Sequence, residues 1–369
     1  MLKKIAYTIS ILALLIILVS WGSTGHQKIS NCASLSFGTQ MNQFNQWTSI
    51  LSAHASDADI RKDTDPDEAP KHYIDIDSYY EFNTTGKIAQ TLDSVIALHG
   101  SSFVYNNGIL PFATKTTFDT LKACFLRNDW AKAVLTAADL GHYVGDGHQP
   151  LHITKNYDGQ LTSNSGIHSR YETSMIDYYI SQIIYTGDTL AVIPDVKQYI
   201  FNYIYTNYTY IDSILTADNY AKSIASNTSS VQYKQALWLK SKNFTTVLFK
   251  NASHALAELI YTAWVQAGSP SILNAVYPCF FSAVDCKLQN FPNPFSNSTQ
   301  IKLDLLSGSN VDLRIKDITG KTISVLDNCY KTNGTYIYKW DPAYIPSGIY
   351  FLELHAGKNI LEKKLMYYK

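Results

Sequence analysis

The chain has 369 residues, a formal net charge of zero at pH 7, and 27 tyrosines beside only 16% charged residues. This length allows two domains, or one large domain with an accessory module. The neutral balance excludes a strongly basic protein that attracts nucleic acid or anionic lipid through its overall field. The composition also excludes an intrinsically disordered chain.

The first 20 residues have the form of a secretory signal peptide. A basic start, Met-Leu-Lys-Lys, precedes an apolar run from Ile9 to Val19, and cleavage after Ser20 would leave a mature chain that begins at Trp21. The alternative is a signal anchor that stays in the membrane, but the apolar run is short for a membrane span. We therefore predict a signal peptide at residues 1–20 and a secreted protein.

The next part of the chain has helical periodicity. Small or apolar residues at Val134, Ala138 and Gly141 share one face of a helix predicted over 129–145, and Pro150 prevents its continuation. Further helices are predicted over 173–185, 193–214, 217–225 and 234–266. We predict an all-α bundle over residues 21–275, followed by a linker at 276–290.

After the linker the periodicity changes from helix to strand. Apolar residues alternate with polar ones in five runs: Ile301/Leu303/Leu305, Val311/Leu313/Ile315, Ile323/Val325, Tyr336/Tyr338/Trp340 and Ile349/Phe351. Glycine and proline turn signals separate the runs, which predicts a small all-β, immunoglobulin-like sandwich over residues 291–369. No cluster of metal-ligand residue types occurs in this part of the sequence, so we assign the chemistry to the helical domain.

The β-rich tail carries four short motifs: Phe291-Pro-Asn-Pro-Phe295, Asp317-Ile-Thr-Gly-Lys321, Trp340-Asp341 and Ser347-Gly-Ile-Tyr-Phe351. Through them it resembles the C-terminal sorting domain of proteins exported by the type IX secretion system. The resemblance implies an export address that is read by the outer-membrane secretion machinery and is then removed or used for attachment to the cell surface. An adhesion-like sandwich is the alternative.

The chain has five cysteines, at spacings that match no zinc-finger pattern. Cys279 and Cys286 are close enough in sequence to close a small disulfide loop in an oxidising compartment. The odd number leaves at least one thiol unpaired or paired elsewhere.

Three of the four histidines and two of the three carboxylates between residues 142 and 172 form a pattern in the helical part. His142 and Asp146 form one pair at i, i+4 spacing, His168 and Glu172 form another, and His152 lies between them. This spacing places both side chains of a pair on one helix face. Imidazole nitrogens and carboxylate oxygens are zinc ligands, so the pattern predicts a zinc site, and paired helices can hold more than one ion.

Two upstream segments offer further ligands. His72 lies in a segment that we predict to be extended, and an acidic stretch before it contains Asp57 and Asp59. By itself the acidic stretch would be a surface loop; beside a histidine site it can supply a missing carboxylate. After cleavage, the α-amine and carbonyl of Trp21 could chelate a metal together with His26, because the glycines between them let the backbone fold.

With these ligands the chain resembles, over roughly residues 21–267, the superfamily that joins bacterial zinc-dependent phospholipase C to single-strand-specific zinc nucleases. The resemblance implies three Zn²⁺ ions with three ligand sets: Asp57, His72, His142 and Asp146; then Trp21, His26 and the second oxygen of Asp146; then His152, His168 and Glu172. We prefer Asp57 to Asp59 because Asp57 follows a pair of small residues, Ala55 and Ser56, and precedes His72 by 15 residues. Asp59 is the alternative.

Three zinc ions with three carboxylates leave a cationic site, which favours a phosphodiester and its more anionic transition state. We hypothesise that a metal-bridged hydroxide attacks phosphorus in line. Asp57 and Asp146 are the predicted catalytic carboxylates. Arg61 is a candidate phosphate clamp, although a surface salt bridge would explain it equally well.

The sequence leaves three functions open. Glu172 favours a phospholipase C-like enzyme, because the nucleases mostly have aspartate at that position. Trp21 with His26 is nearer to the pattern of a single-strand-specific nuclease or 3′-nucleotidase. Ala58 and Ala69 stand where the resemblance to the phospholipase would place aromatic headgroup contacts, which argues against a choline headgroup even for a phospholipase. A surface-binding protein with a structural zinc site is the third, but structural sites are closed and often rich in cysteine.

Overall fold

The computed structural model of the protein describes residues 21–272, 286–305, 309–342, 345–356 and 359–368. The chain divides at residue 276 into two units, the first helical and the second made of strands. The predicted signal peptide lies outside the described residues. So does Cys279, and the predicted disulfide with Cys286 therefore stays a prediction.

The helical unit contains thirteen α-helices in its described residues, with these bounds: α1 Gly22–Ala33, α2 Thr48–Ala53, α3 Asp57–Arg61, α4 Tyr80–Thr85, α5 Leu92–His99, α6 Ser101–Asn106, α7 Leu110–Leu126, α8 Trp130–Gly147, α9 Ile167–Ser169, α10 Ile176–Tyr179, α11 Val196–Tyr208, α12 Ile211–Ile224 and α13 Val231–Gln266. Shorter 3₁₀ turns include Ala69–His72 and Pro150–His152, and a π-helix spans Arg170–Met175. Within the described part of the chain, no helix combines the length and the apolar character needed to cross a bilayer.

Helix α8 lies at the centre of the helical unit. The Asp129 side chain caps it by accepting a hydrogen bond from the amide of Lys132 at 3.2 Å. The helix is buried along most of its length and packs against α1, α2, α7 and α13. Gly145 allows the close approach of α1, because a Cβ there would lie 2.8 Å from Nδ1 of His26. Because Gly145 has no side chain, His26 of α1 can enter the core.

The predicted helices differ from the observed ones mainly where the structure interrupts a segment that was predicted as one continuous helix. The predicted helix 193–214 spans two helices, α11 and α12, because the amides of Thr209 and Tyr210 bond three residues back, to Thr206 and Asn207. The segment 173–185 is likewise divided among the π-helix, α10 and a 3₁₀ turn. The apolar periodicity of the sequence does not reveal these interruptions, because the helices before and after each interruption both keep an apolar face toward the core.

The second unit has seven strands: β1 Cys286–Phe291, β2 Thr299–Leu305, β3 Ser309–Lys316, β4 Thr322–Lys331, β5 Gly334–Trp340, β6 Gly348–Ala356 and β7 Asn359–Tyr367. They form two antiparallel sheets, in the orders β1-β2-β5 and β4-β3-β6-β7. Inward residues of both sheets, such as Leu303 and Leu313, share one apolar core. The predicted fold class, an all-α domain followed by a β-sandwich, is confirmed.

Strand β1 corrects the predicted linker at 276–290. Cys286 and Leu288 are buried and alternate with exposed residues, and β1 pairs in register with β2. Two apolar positions are too few to distinguish a strand from a linker in the sequence, and the pairing with β2 is what makes the segment a strand.

A buried charged network anchors the connection between the turn Pro150–His152 and α9. Asp218 of α12 is fully buried and accepts hydrogen bonds from Asn164 at 2.6 Å and from Arg170 at 3.0 Å. It also pairs with Lys222 at 2.6 Å and accepts a hydrogen bond from the Tyr233 hydroxyl. Burial alone would raise the pKa of Asp218, but Lys222 and the hydrogen bonds hold it below its ordinary value.

We predict that Asp218→Asn lowers the free energy of unfolding at pH 7 by about 2 kcal/mol. This is less than the roughly 3–5 kcal/mol for a fully buried pair, because Lys222 is 29% exposed. Since the folded pKa lies below the unfolded value of about 3.9, the stabilisation is present above that pH and is lost as the pH falls through the folded pKa. The difference between variant and wild type should therefore shrink below about pH 4. Urea titrations followed by circular dichroism at 222 nm measure it.

The matched control is Asp212→Asn, at an exposed position of the same helix. It should change the stability by less than about 0.5 kcal/mol. Equal effects of the two variants, or a difference that persists unchanged at pH 2, would contradict the role assigned to Asp218.

Candidate metal centre

Three groups of side chains bring nitrogen and oxygen donors together in the helical unit. In each group the donor atoms lie within 4.8 Å of one another. The groups are His26/His142/Asp146, Asp59/His72/His142 and His152/His168/Glu172. Seven of these eight residues are predicted zinc ligands, and Asp59 is the alternative that the sequence left open.

Asp146 lies where the groups meet. The side chain is fully buried, and its Oδ2 is 3.1 Å from Nδ1 of His72 and 3.4 Å from Nε2 of His142. Its Oδ1 is 3.5 Å from Nε2 of His26 and also 3.5 Å from Nδ1 of His152. The two oxygens therefore face different imidazoles, and one carboxylate can serve two ions.

Hydrogen bonds to backbone carbonyls fix the orientation of three imidazoles. Nδ1 of His142 donates to Ala55 at 2.8 Å, and Nδ1 of His168 donates to Tyr157 at 3.1 Å. Nδ1 of His152 donates to the carbonyl of His72 at 2.7 Å. A proton on Nδ1 leaves the lone pair on Nε2, which is the tautomer that a metal requires.

The third group tests whether these residues fit a metal ion. Nε2 of His152, Nε2 of His168 and Oε1 of Glu172 are buried and make no hydrogen bond with any residue that the structure describes. The second oxygen of Glu172 accepts a hydrogen bond from Gln149 at 2.8 Å, which presents Oε1 to the imidazoles. Buried polar atoms are normally satisfied, and two imidazole nitrogens with one carboxylate oxygen match the donor preferences of zinc. The residues fit the ion.

The charges of the centre require compensation. Burial alone would lower the pKa of His142, but the carboxylates of Asp146 and Asp59 raise it to about 10. Burial would raise the pKa of Glu172, whereas the imidazole of His168 holds it below its ordinary value. The buried carboxylates are therefore stable only beside positive charge, which protons or metal ions can supply.

The structure brings Asp59, and not Asp57, to the centre. Oδ1 of Asp59 lies 3.5 Å from Nε2 of His142 and 3.6 Å from Nδ1 of His72. Asp57 is 42% exposed and contacts His54 at 2.6 Å. Both belong to helix α3, where residues two apart point about 200° away from each other, so they cannot share a face. The preference for Asp57 is thus corrected on geometric grounds.

His72 and Glu172 reach the centre from irregular backbone. His72 ends a 3₁₀ turn and only Tyr73 after it is extended, whereas the sequence predicted an extended segment throughout. Gly166 has a φ of +84°, which glycine adopts without strain, and it directs the chain into α9 and His168. Glu172 follows in the π-helix, a form frequent at functional sites.

Arg61 does not reach the centre. Its guanidinium donates to Asp139 at 3.0 Å and to Glu68 at 3.3 Å, in a separate groove that Tyr143 also lines. The predicted role as a phosphate clamp is therefore not supported by its position. The neighbouring Lys62 lines the cavity beside the centre instead.

Trp21 anchors the start of α1. Its ring is buried, Nε1 donates to the carbonyl of Gly145 at 2.8 Å, and its own carbonyl accepts from the amide of Gly25 at 3.2 Å. His26, on the same helix, lies 3.5 Å from Asp146. Trp21, where the mature chain is predicted to begin, thus caps the helix that carries a residue of the centre. Metal binding by its amine stays a prediction.

A cavity of about 250 Å³ opens beside the third group. It is lined by Lys62, Ala69, His72, Tyr73, Asp75, Asn106, Leu151, His152, Tyr157 and His168. Burial and the nearby Asp77 raise the pKa of Asp75 to about 7. The sequence analysis missed Tyr73 and Asp75; the signal that could have found them is their position within three residues of the predicted ligand His72.

Two solved structures are similar to this chain over most of its length. The alpha toxin from Clostridium absonum has 14% sequence identity and a TM-score of 0.39, with 95% of this chain and 96% of that chain covered. The alpha-toxin of an avian strain of Clostridium perfringens has 14% identity and a TM-score of 0.40, with 94% of each chain covered.

Sequence comparison adds matches to parts of the chain. A protein of Bradyrhizobium tropiciagri described as "Probable serine protease" is 36% identical over 87 residues, an alignment that covers 19% of this chain. The chain spans only 11% of the length of that relative. Residues 289–368 match the family described as "Secretion system C-terminal sorting domain", which confirms the prediction that the C-terminal domain is a sorting domain.

Proposed function

We propose that the helical domain is a secreted, zinc-dependent phosphodiesterase with three zinc ions. The observation that carries the proposal is the third group, where two imidazole lone pairs and a carboxylate oxygen face one another in the core without hydrogen bonds to described residues. The sorting domain supports export, which we assign to a signal peptide followed by a type IX-like secretion system. The destination is the medium or the cell surface.

Zinc ions at this centre would supply Lewis acidity and lower the pKa of a water molecule. The protein's own residues define the geometry of the reaction. Asp146 fixes the separation of two ligand groups through its two oxygens. Asp59, at 20% exposure, is more accessible than the fully buried Asp146 and Glu172, so it is our candidate to accept a proton from the attacking water.

The charge of the centre selects an anionic substrate. Three zinc ions would outweigh the carboxylates of Asp59, Asp146 and Glu172, and Lys62 adds a further cation at the cavity. Such a site stabilises the additional negative charge of a pentacoordinate phosphorus more than it stabilises the ground state. This difference is what favours phosphodiester hydrolysis.

The surroundings of the cavity favour a phospholipid substrate. Ile60, Tyr105 and Leu161 are 65%, 37% and 62% exposed, and each lies within four residues of a side chain that lines the cavity. Exposed apolar side chains on the segments that line a polar site are compatible with work at a membrane surface. With Glu172, they lead us to propose a phospholipase C-like activity.

A second candidate is a single-strand-specific nuclease or 3′-nucleotidase, favoured by the lining of the cavity. Tyr73 and Tyr157 offer rings on which a nucleobase can stack, and Asp75 and Asn106 offer hydrogen-bonding groups. A direct comparison of substrates separates the two candidates.

We predict that the purified mature protein with zinc hydrolyses phospholipids in vesicles faster than single-stranded DNA or a 3′-nucleotide. Phosphate-ester products measure all three reactions. Chelation followed by dialysis should abolish hydrolysis, and zinc should restore it. Faster hydrolysis of DNA would favour the second candidate, and activity that survives metal removal would refute the proposed class altogether.

Paired variants test which aspartate serves the centre. Asp59→Asn should lower kcat/KM at least about a hundredfold, since a ligand of a catalytic metal contributes several kcal/mol. Asp57→Asn, two residues away and outside the centre, should stay within about threefold of wild type. The reverse order of effects would restore the original preference for Asp57.

The contribution of the terminal amine can be tested by extending the chain before Trp21. Protein with two extra N-terminal residues should bind one zinc ion less tightly and hydrolyse substrate at least about tenfold more slowly, because an amide nitrogen replaces the amine. Metal analysis and rate measurements on both forms give the result. Proteolytic removal of the extension should restore both properties, whereas equal zinc binding before and after removal would exclude the amine as a ligand.

A further inference from the structure

Glu68 is a buried carboxylate that lies outside the three ligand groups. It immediately precedes the 3₁₀ turn Ala69–His72, and its side chain is 2% exposed. Among the acidic residues of that stretch, it is the one at i, i+4 spacing to His72.

Four side chains converge on this one carboxylate. Oε1 of Glu68 lies 3.5 Å from Nε2 of His72 and accepts hydrogen bonds from Arg61 at 3.3 Å and from the hydroxyl of Tyr143. Oε2 accepts from Nζ of Lys71 at 2.8 Å. Two cations on one buried carboxylate keep it anionic, so Glu68 can accept a hydrogen bond from an N–H of His72.

Each partner of Glu68 belongs to a segment that also carries a ligand of the second group. Arg61 shares helix α3 with Asp59, and Tyr143 follows His142 on α8. Arg61 also binds Asp139 of α8 at 3.0 Å, which closes the network between the two helices. The contacts of Glu68 therefore join the segments that present Asp59, His72 and His142 to one point.

His72 is oriented differently from three other imidazoles of the centre. His142, His152 and His168 donate from Nδ1 to backbone carbonyls and present Nε2. His72 presents Nδ1, which lies 3.0 Å from Nε2 of His142, and its outward nitrogen faces the carboxylate of Glu68. A carboxylate behind a ligating imidazole fixes its tautomer and increases its basicity.

We propose that Glu68 is the positioning residue of the Asp59/His72/His142 group, holding His72 in the tautomer that binds a metal through Nδ1 and joining the three ligand segments. The inference rests on the proposed zinc centre. It also gives Arg61 a role: the guanidinium supports Glu68 from the groove on the other side of α3 and does not contact substrate.

The test compares Glu68→Gln with wild type in the full mature chain, loaded with zinc. The variant keeps the size of the side chain and removes the negative charge that faces Nε2 of His72. We expect about tenfold weaker binding at one of the three sites, measured by competition with a chromogenic chelator, and wild-type affinity at the other two. The visible absorption of the Co²⁺-substituted protein should change for one ion only.

The matched control is Asp65→Asn, a carboxylate that lines the same groove and accepts a hydrogen bond from the amide of Asp67. It should leave all three affinities unchanged. Glu68→Asp, which retains the charge, should recover part of the lost affinity.

Thermal melting of the metal-free forms separates positioning from a purely structural role. If Glu68→Gln lowers the melting temperature of the metal-free protein but leaves all three zinc affinities unchanged, the inference is overturned while the proposed function stands. If wild type binds no zinc, both the inference and the proposed function are overturned.

Discussion

The burial of Asp146 is the constraint on which the helical domain depends. A carboxylate removed from water is costly unless opposite charge or hydrogen-bond donors surround it. The chain meets this requirement with imidazoles from four segments: α1, the turn that ends at His72, α8 itself and the turn Pro150–His152. Each segment must therefore approach the C-terminal end of α8, and the packing of the bundle there follows from that requirement.

The close approach needs small residues as much as it needs charge. A Cβ at Gly145 would collide with the ring of His26, and a Cβ at Gly141 would lie 2.9 Å from a methyl group of Leu256. The same face of α8 thus carries the ligands and the gaps that admit their partners. In this helix, the stability of the core and the assembly of the site are consequences of one pattern of residues.

The sequence predicts the parts of this arrangement that depend on local spacing. The i, i+4 pairs of His142 with Asp146 and of His168 with Glu172 come together in the structure because helical geometry alone determines their faces. Asp59 could not be separated from Asp57, because a helix of five residues is too short to give a periodic signal. The cavity lining depends on contacts between distant segments, which no local pattern encodes. Glu68 has i, i+4 spacing to His72, but its hydrogen bonds with Arg61 and Tyr143 form only in the folded chain.

The hydrogen bond from His152 to the carbonyl of His72 couples two ligand groups through the backbone. A tilt of the His72 peptide moves the carbonyl, and the ring of His152 must follow it. The hydrogen bond therefore fixes the orientation of one ligand of the third group relative to the backbone of one ligand of the second. A substitution that moves the backbone of the turn Ala69–His72 would consequently displace a side chain of the second group and a side chain of the third at the same time.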